Sequence, residues 1–191
     1  MLKELIIKNR SYRRFYQNHK IKKELLLDLI DLARLSASAK NSQALKYYIS
    51  NDELLNKQIF LSLAWAGFLK DWAGPIDGEQ PSAYIVITLD KNITNNNYCD
   101  HGIAAQSILL GAVEKDLGAC IIAAINKESL TQTLNITDNL EILLVLAIGK
   151  PKEEINIYEI DNGEDTKYWR DKNKVHQVPK RKLQDIVINI N

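Results

Sequence analysis

The sequence contains few residues of the types that mark flexible, cross-linked or membrane-embedded proteins. Its four prolines and eight glycines are spread over 191 residues, so no linker or repeat is indicated. The two cysteines, Cys99 and Cys120, form no CxxC pair, and this favours reduced thiols and a cytoplasmic location. No apolar run approaches the roughly 20 residues that span a bilayer, and the charged N-terminus does not have the form of a signal peptide.

Known catalytic and nucleotide-binding motifs are also missing. There is no GxGxxG, no P-loop and no GxSxG nucleophile elbow, and no pair of carboxylates stands out as an acid–base couple. His19, His101 and His176 are far apart and lack ligand spacing, so we expect no metal site. An enzyme with this sequence would therefore take its reactivity from a cofactor, with no catalytic side chain of its own.

The net charge is only +1, which does not indicate a general attraction for nucleic acid. The basic residues are nevertheless unevenly placed, because they crowd segments 8–23 and 167–182 at the two ends of the chain. These basic ends are compatible with solvated surface and also with a shared site for one anionic ligand.

Hydrophobic periodicity predicts helices and strands without strict βαβ alternation, hence one α+β domain over residues 1–191. The predicted helices are 1–9, about 25–33, 53–66, 100–116 and 127–134, and the predicted strands are 46–50, 83–89, 119–125 and 142–148. The helix over 100–116 is apolar around nearly its whole circumference, which is typical of burial in a core or between subunits. Residues 152–191 are more polar, and we expect a less regular C-terminal extension that packs on the body or on a partner subunit.

Four short clusters carry polar or small residues in arrangements that suit a bound anion or a planar ring. Arginines beside a hydroxyl match phosphate oxygens, and small residues at a strand start let a ligand approach the backbone. Taken singly, each cluster also fits an ordinary turn, polar loop, core strand or basic tail. The candidate cofactor-binding residues are Arg10, Ser11, Arg13, Ser38, Asn41, Gln43, Cys120, Ile121, Ile122, Lys180 and Arg181.

The order of these clusters is more specific than any one of them. Arg-Ser-x-Arg follows the first helix, Ser-x-x-Asn-x-Gln comes next, an Asp-x-Gly-x-Ala-x-Gln helix runs into Leu-Gly, and Pro-Lys-Arg lies near the end. From about residue 3 to 188 the chain resembles the FMN-dependent nitroreductase family. The resemblance implies an intertwined homodimer, a central mixed or antiparallel sheet flanked by helices, and FMN at the dimer interface.

The resemblance also implies a role for each cluster. Residues 10–13 would hold the FMN phosphate and the polar side of the flavin, residues 38–43 would contact the ribityl chain and ring, and residues 180–181 would complete the phosphate clamp. The backbone of 120–122 would lie near flavin N5, and Arg13 would stabilise negative charge at the pyrimidine end. Hydride would pass from NADH or NADPH through N5 to a small acceptor, such as a nitroaromatic or a quinone, in a ping-pong mechanism.

Some residues depart from the family pattern. Ala37, Ala44 and Leu45 stand where the family often has Pro, Pro and Trp, and Asn9 stands where many members have another arginine. No long insertion covers the site, so the 65–81 segment would form any lid, with Trp72 either stacking on substrate or simply packing.

Other functions remain open from the residues alone. They are a flavin-storage dimer with little turnover, a specialised flavin reaction such as reductive dehalogenation or flavin cleavage, and nucleic-acid binding through the basic ends. The neutral total charge disfavours the last, and we expect neither nucleic acid nor a membrane as a partner.

Overall fold

The helices and strands follow one another in the predicted order, with ends shifted by a few residues. The structure is a computed structural model that describes residues 1–188, so positions 189–191 of the predicted domain lie outside the described residues. The helices are α1 (Leu2–Lys8), α2 (Lys23–Leu35), α3 (Glu53–Leu61), α4 (Asp100–Glu114) and α5 (Lys127–Leu134). The strands are β1 (Leu45–Ser50), β2 (Ala83–Asp90), β3 (Gly118–Ile122), β4 (Leu140–Gly149), β5 (Ile155–Ile160), β6 (Trp169–Arg170) and β7 (His176–Arg181).

The central sheet is antiparallel, with strand order β1-β2-β4-β3. Alternate residues of its buried strands point to opposite faces, and each face has its own hydrophobic core. Ile85 and Ile87 of β2 pack with α2 and α4 on one face, whereas Tyr84 and Val86 pack with α3 and α5 on the other. The α+β prediction of a sheet flanked by helices is confirmed.

Helix α4 lies mainly within the core, as its all-round apolar sequence predicts. Ile108 and Ala112 are fully buried, and Ile103 is 40% exposed on the outer side. At Gly111 the helix approaches α2 so closely that a Cβ atom would lie 2.3 Å from Cδ1 of Leu32. A larger residue here would require the Leu32 side chain to move, so the glycine favours the close approach of α2 and α4.

Two predicted elements are shorter than expected. The helix predicted over 53–66 ends at Leu61, and the strand predicted over 119–125 ends at Ile122. Both end early because the segments that follow them pair with each other. Ala64 N donates to Ala124 O at 2.9 Å, and Leu63 forms a β-bridge with Ile125. Asn126 caps α5, because its side chain accepts a hydrogen bond from Ser129 N at 3.1 Å.

The C-terminal segment is more regular than predicted. It forms a second sheet of three strands in the order β5-β7-β6, with β5 and β7 parallel. Residues 152–191, which we call the tail, were expected to be less regular than the body, and the strands within them were not predicted, because pairing between distant segments stabilises them. The tail packs on the body of its own chain. The division of the chain into a body and a C-terminal extension stays a prediction.

Helices long and apolar enough to cross a membrane are absent from residues 1–188.

Candidate functional site

The segment after α1 brings the first basic cluster to the free edge of the central sheet. Ser11 forms a parallel bridge with Ala119 of the edge strand β3, and Tyr12 N donates to Ala119 O at 3.1 Å. The segment therefore adds to β3 as a short strand would. This pairing places Arg10 and Arg13 beside the residues of β3 that the sequence also marks as a candidate site.

A cavity of about 210 Å³ opens at this edge, and we call it the edge cavity. Its walls combine cations, neutral polar groups and an apolar floor. It is lined by Asn9, Arg10, Ser11, Arg13, Gln106, Leu109, Ile121, Tyr168, His176, Val178 and Lys180. Four predicted site residues from the N-terminal cluster and strand β3, and a fifth from the C-terminal cluster, therefore surround one space.

A second cavity of about 190 Å³ adjoins the edge cavity, and the two share Arg13, Ile121 and Tyr168 as walls. We call it the strand cavity, because residues 120–124 at the end of β3 line it. Ile121 is exposed, whereas Cys120 is 3% exposed. Burial raises the pKa of the Cys120 thiol to about 11, so this group contributes packing rather than a reactive thiolate.

Arg13 is the most enclosed cation of the site, with 8% of its surface exposed. Its Nη1 donates to Ser11 O and to Nε2 of His176, both at 3.1 Å, and its guanidinium lies 4.6 Å from the centre of the Tyr168 ring. Within residues 1–188, no carboxylate pairs with this guanidinium, and its Nε and Nη2 donors have no hydrogen-bond partner. A nearly buried positive charge is therefore left for a ligand to balance.

Arg10 has a similar unsatisfied donor. Its Nη2 donates to Ile6 O at 2.7 Å, whereas its Nε is buried without a partner among the described residues. Buried donors are normally paired, so an unpaired one in a cavity wall suits a bound acceptor.

The C-terminal cluster contributes only partly to this cavity. Lys180 lines it, whereas Arg181 does not. The two are consecutive in β7, and successive side chains of a strand point to opposite faces. Lys182, the next residue in the sequence, forms an ion pair with Asp161.

The predicted loop of Ser38, Asn41 and Gln43 is held at the start of α4. Asp100 is 6% exposed, and its carboxylate accepts hydrogen bonds from Ser38 Oγ at 2.8 Å and Ala39 N at 2.9 Å. Asn41 and Gln43 are exposed and have φ values of 53° and 50°, a left-handed conformation that asparagine tolerates and that is costly for glutamine. A cavity of about 130 Å³ lies beside Ser38, Gln43 and Tyr47.

Within one chain, this loop does not meet the edge cavity. Asp100 contacts the loop and Gln106 lines the edge cavity, and the two residues are about 120° apart around the axis of α4 at about 100° per residue. The structure thus gathers the predicted site residues other than Arg181 into two groups on different faces of one helix.

Three residues of the tail belong to the site and carry no motif. Tyr168 and His176 hold Arg13, and Glu153 accepts hydrogen bonds from Arg13 N at 2.9 Å and Arg170 Nη2 at 2.6 Å. Tyr168 and His176 come together through the pairing of β6 with β7, which places Arg170 opposite His176, whereas Glu153 lies between β4 and β5. Sequence patterns offered no signal for that pairing.

Trp72 is not exposed to the strand cavity as a stacking surface. The Arg170 guanidinium lies 4.6 Å from the centre of its ring. Aromatic contact with the tail is instead made by Phe68, whose ring packs edge-on against Tyr168 with centroids 5.1 Å apart. The 65–81 segment and the tail therefore form one wall, and a lid function for this segment stays a prediction.

The chemistry of the site suits an anionic organic ligand. The edge cavity presents Arg10, Arg13 and Lys180, together with neutral amide and hydroxyl groups that can bind the polar rim of a ring. Over the described part of the chain, no group of His, Cys, Asp and Glu has the arrangement of a metal site.

The fold is shared with solved oxidoreductase structures. A nitroreductase family protein from Clostridium novyi superposes with a TM-score of 0.66 and 26% identity, over 80% of this chain and 86% of that one. An FMN-dependent nitroreductase from Clostridium difficile superposes with a TM-score of 0.61 and 24% identity, over 78% of this chain and 87% of that one. The architecture is thus that of a nitroreductase-like α+β protein.

The sequence comparison is equally specific. The pattern that describes the nitroreductase family matches residues 6–150. A protein of Archaeoglobus fulgidus, provisionally named an NADH dehydrogenase/NAD(P)H nitroreductase, is 25% identical over 167 residues, which is 83% of this chain and 90% of the relative. The chain belongs to the nitroreductase family, and the expectation of an oxidoreductase of this family is confirmed.

Proposed function

We propose that this protein is an NAD(P)H-dependent oxidoreductase that uses FMN, bound at the edge and strand cavities, to reduce a small organic acceptor such as a nitroaromatic or a quinone. The observation that carries the proposal is the Arg13 guanidinium, nearly buried beside β3 with no carboxylate among the described residues to balance it. FMN carries an anionic phosphate and a ring with a polar edge. Its negative charge would balance the cations of the site, and its polar atoms would accept hydrogen bonds from the unpaired donors.

The donor set fits FMN in two respects. Arg10 and Lys180 extend the positive charge along the cavity, and the unpaired Arg10 Nε offers a donor to a phosphate oxygen. Ile121 presents an exposed apolar side chain and an edge-strand backbone on which a flat ring can lie. Arg13 stands between the two cavities, where its charge would favour a negatively charged ring.

The proposal includes a homodimer. Because the Ser38 loop and the edge cavity lie on different faces of α4, a second copy of the chain is needed to bring a Ser38 loop to the cofactor. The chain has apolar surface available for this contact. Exposed apolar residues on the helices include Leu2, Ile6, Ile7, Leu27, Leu32, Leu35 and Ile103.

Bound FMN would supply the capacity to accept a hydride from a nicotinamide and pass it on. The protein's own contribution is to position the reactants and stabilise charge. Arg13 would hold the polar end of the ring, Lys180 and Arg10 would fix the phosphate, and the wall of Phe68 and Tyr168 would limit access from solvent. No side chain is required to transfer a proton at the reacting atom.

The first test is an absorbance spectrum of the purified protein, followed by anaerobic addition of NADH or NADPH. We expect the visible bands of oxidised flavin, and we expect them to bleach with at least one donor. Flavin that stays oxidised with both donors would instead identify a storage protein, and a chain that neither carries nor binds added FMN would refute the proposal.

The same site can be tested by substitution. Arg13→Ala is expected to weaken FMN binding at least about tenfold, since it removes a charge-assisted contact worth about 1.5–3 kcal/mol. Lys127→Ala is the control, because Lys127 is an exposed cation on α5 that pairs with Glu141 and lines neither the edge cavity, the strand cavity nor the cavity beside Ser38. Equal FMN affinity in the two variants would show that the edge cavity is not the flavin site.

A further inference from the structure

The imidazole of His176 holds the Arg13 guanidinium. It is 1% exposed, it lies at the start of β7, and its Nε2 is 3.1 Å from Arg13 Nη1. An arginine side chain can only donate, so Nε2 accepts and the imidazole proton lies on Nδ1. That Nδ1 is buried and has no partner among residues 1–188.

The other contacts of the guanidinium are also uncharged. Ser11 contributes a backbone carbonyl, and Tyr168 contributes the face of its ring. The neighbouring carboxylate of Glu153 is used elsewhere, since it binds the backbone N of Arg13 and the side chain of Arg170. A buried cation is usually paired with an acid, and here three neutral groups take that place.

This arrangement has a cost, which a purely structural contact would avoid. Leaving the buried Nδ1–H unpaired destabilises the folded protein, and a carboxylate at position 176 would pair with Arg13 more strongly than an imidazole does. An acid there would also cancel the charge that faces the edge cavity. The imidazole fixes the direction of the guanidinium and leaves its charge uncompensated.

We propose that His176 is a positioning residue that holds the Arg13 guanidinium through a neutral acceptor, so that its full positive charge faces an anionic ligand in the edge cavity. Identifying that ligand as FMN rests on the function proposed above. Two features of the tail support this role. The pairing of His176 with Arg170 across β6 and β7 fixes the backbone of His176. The carboxylate of Glu153 pairs with Arg170 and also accepts a hydrogen bond from Arg13 N at 2.9 Å, which anchors the tail to the body.

The test compares two substitutions of nearly equal size, His176→Gln and His176→Glu, in the full-length protein. Gln offers Arg13 a neutral acceptor, whereas Glu offers a charged one. We expect His176→Gln to keep the dissociation constant of FMN within about threefold of the wild type, and His176→Glu to raise it at least about tenfold. Fluorescence titration of FMN measures both constants.

A second readout concerns the reduced cofactor. Because positive charge favours the anionic reduced ring, His176→Glu should weaken binding of reduced FMN by about tenfold more than binding of oxidised FMN. For a two-electron couple this corresponds to a lowering of the midpoint potential by about 30 mV. His176→Gln should leave the potential unchanged. If the two variants change affinity and potential equally, His176 only fills space and the proposal is wrong.

A third measurement needs no flavin and no variant. Nitrogen-15 NMR of the cofactor-free wild type should show a neutral His176 with its proton on Nδ1 and with Nε2 as an acceptor. A proton on Nε2 would overturn the proposal, even if the Glu variant failed to fold. If wild-type protein showed the expected tautomer but bound no FMN, the proposed function would fail and the hold of His176 on Arg13 would stand.

Discussion

Arg14 and Glu79 form a two-point ion pair, in which Nε and Nη2 of Arg14 each donate at 2.6 Å to a different oxygen of the carboxylate. Their side chains are only 14% and 11% exposed, and Lys152 adds a third contact at 3.1 Å. Although Arg14 directly follows Arg13, its side chain ties the N-terminal segment to the 65–81 segment. Consecutive arginines therefore have different tasks, one in the site and one in the fold.

The first prediction concerns this ion pair. The Arg14 guanidinium, and to a lesser extent Lys152, holds the pKa of Glu79 at about 2, below its ordinary value of 4.5. The pair therefore stabilises the protein above pH 4.5, and that contribution is lost as the pH falls toward 2. We expect Glu79→Gln to lower the free energy of unfolding by about 3 kcal/mol at neutral pH, as measured by urea denaturation.

The exposed pair of Arg34 and Asp31 provides the control, because its distance is also 2.6 Å while its side chains are 63% and 52% exposed. Asp31→Asn should cost less than about 1 kcal/mol. Similar losses for the two substitutions would mean that the burial of Glu79 has no energetic importance.

The second prediction follows from the burial of His176. Burial first, and then the charges of Arg13 and Arg170, lower its pKa from 6.5 to about 4. Between these values the unfolded chain binds a proton here and the folded protein does not, so stability falls as the pH is lowered from 6.5 toward 4. We expect this one group to account for a loss of about 2–3 kcal/mol.

Urea denaturation between about pH 7 and pH 4.5 measures this dependence. His176→Gln should flatten the curve in that range, because glutamine does not titrate. His19→Gln, at an exposed position, should leave the slope unchanged. A wild-type stability that is constant over the range would show that His176 is not held neutral.

The sequence predicts the fold better than it predicts the contacts within the site. The sequence of β2, which includes Ile85 and Ile87, is enough to predict a buried strand, because apolar and β-branched residues dominate the whole segment. Strand β7 has no such local pattern, since it contains Pro179 and depends on β5 for its hydrogen bonds. In β5 the alternating Ile155 and Ile157 are a strand signal that the prediction did not use. The ends of α3 and β3 were also misplaced, because a long-range backbone connection rather than composition stops them.

Site prediction fails for the same physical reason. Arg10 and Arg13 could be named as candidates because a basic cluster is visible in the sequence itself. Tyr168 and His176 were missed because only the register of β6 against β7 brings them to Arg13. Local chemistry is readable from a sequence, whereas a contact between residues more than a hundred positions apart requires the fold.

The third prediction concerns Gly149 at the end of β4. A Cβ atom at this position would lie 2.7 Å from Cδ1 and 2.8 Å from Cγ of Phe15, a ring with no exposed surface. Because Phe15 is enclosed on all sides, it has no room to move away. We expect Gly149→Ala to lower the free energy of unfolding by about 1–3 kcal/mol.

Thermal denaturation of Gly149→Ala beside Gly67→Ala checks this. A Cβ at Gly67 would meet no atom within 4 Å, so that substitution should leave the melting temperature nearly unchanged. If both variants melted like the wild type, Phe15 would have to be less tightly packed than the structure shows.

The last prediction concerns Asp100, which links the predicted cofactor loop to α4. Its two oxygens accept from Ser38 Oγ and Ala39 N, and its place in the first turn of α4 suits a negative charge. Asp100→Asn replaces one acceptor by a donor, so it sets an N–H group against one of these two donors. We expect the free energy of unfolding to fall by about 1–3 kcal/mol. We also expect FMN to bind more weakly, because the loop would no longer be held in shape.

Asp116→Asn is a suitable control, since Asp116 is exposed beyond the other end of α4 and its φ of 56° is one that asparagine tolerates. Weaker FMN binding with unchanged stability would assign Asp100 to the ligand itself, and a loss of stability with unchanged FMN binding would remove the Ser38 loop from the cofactor site.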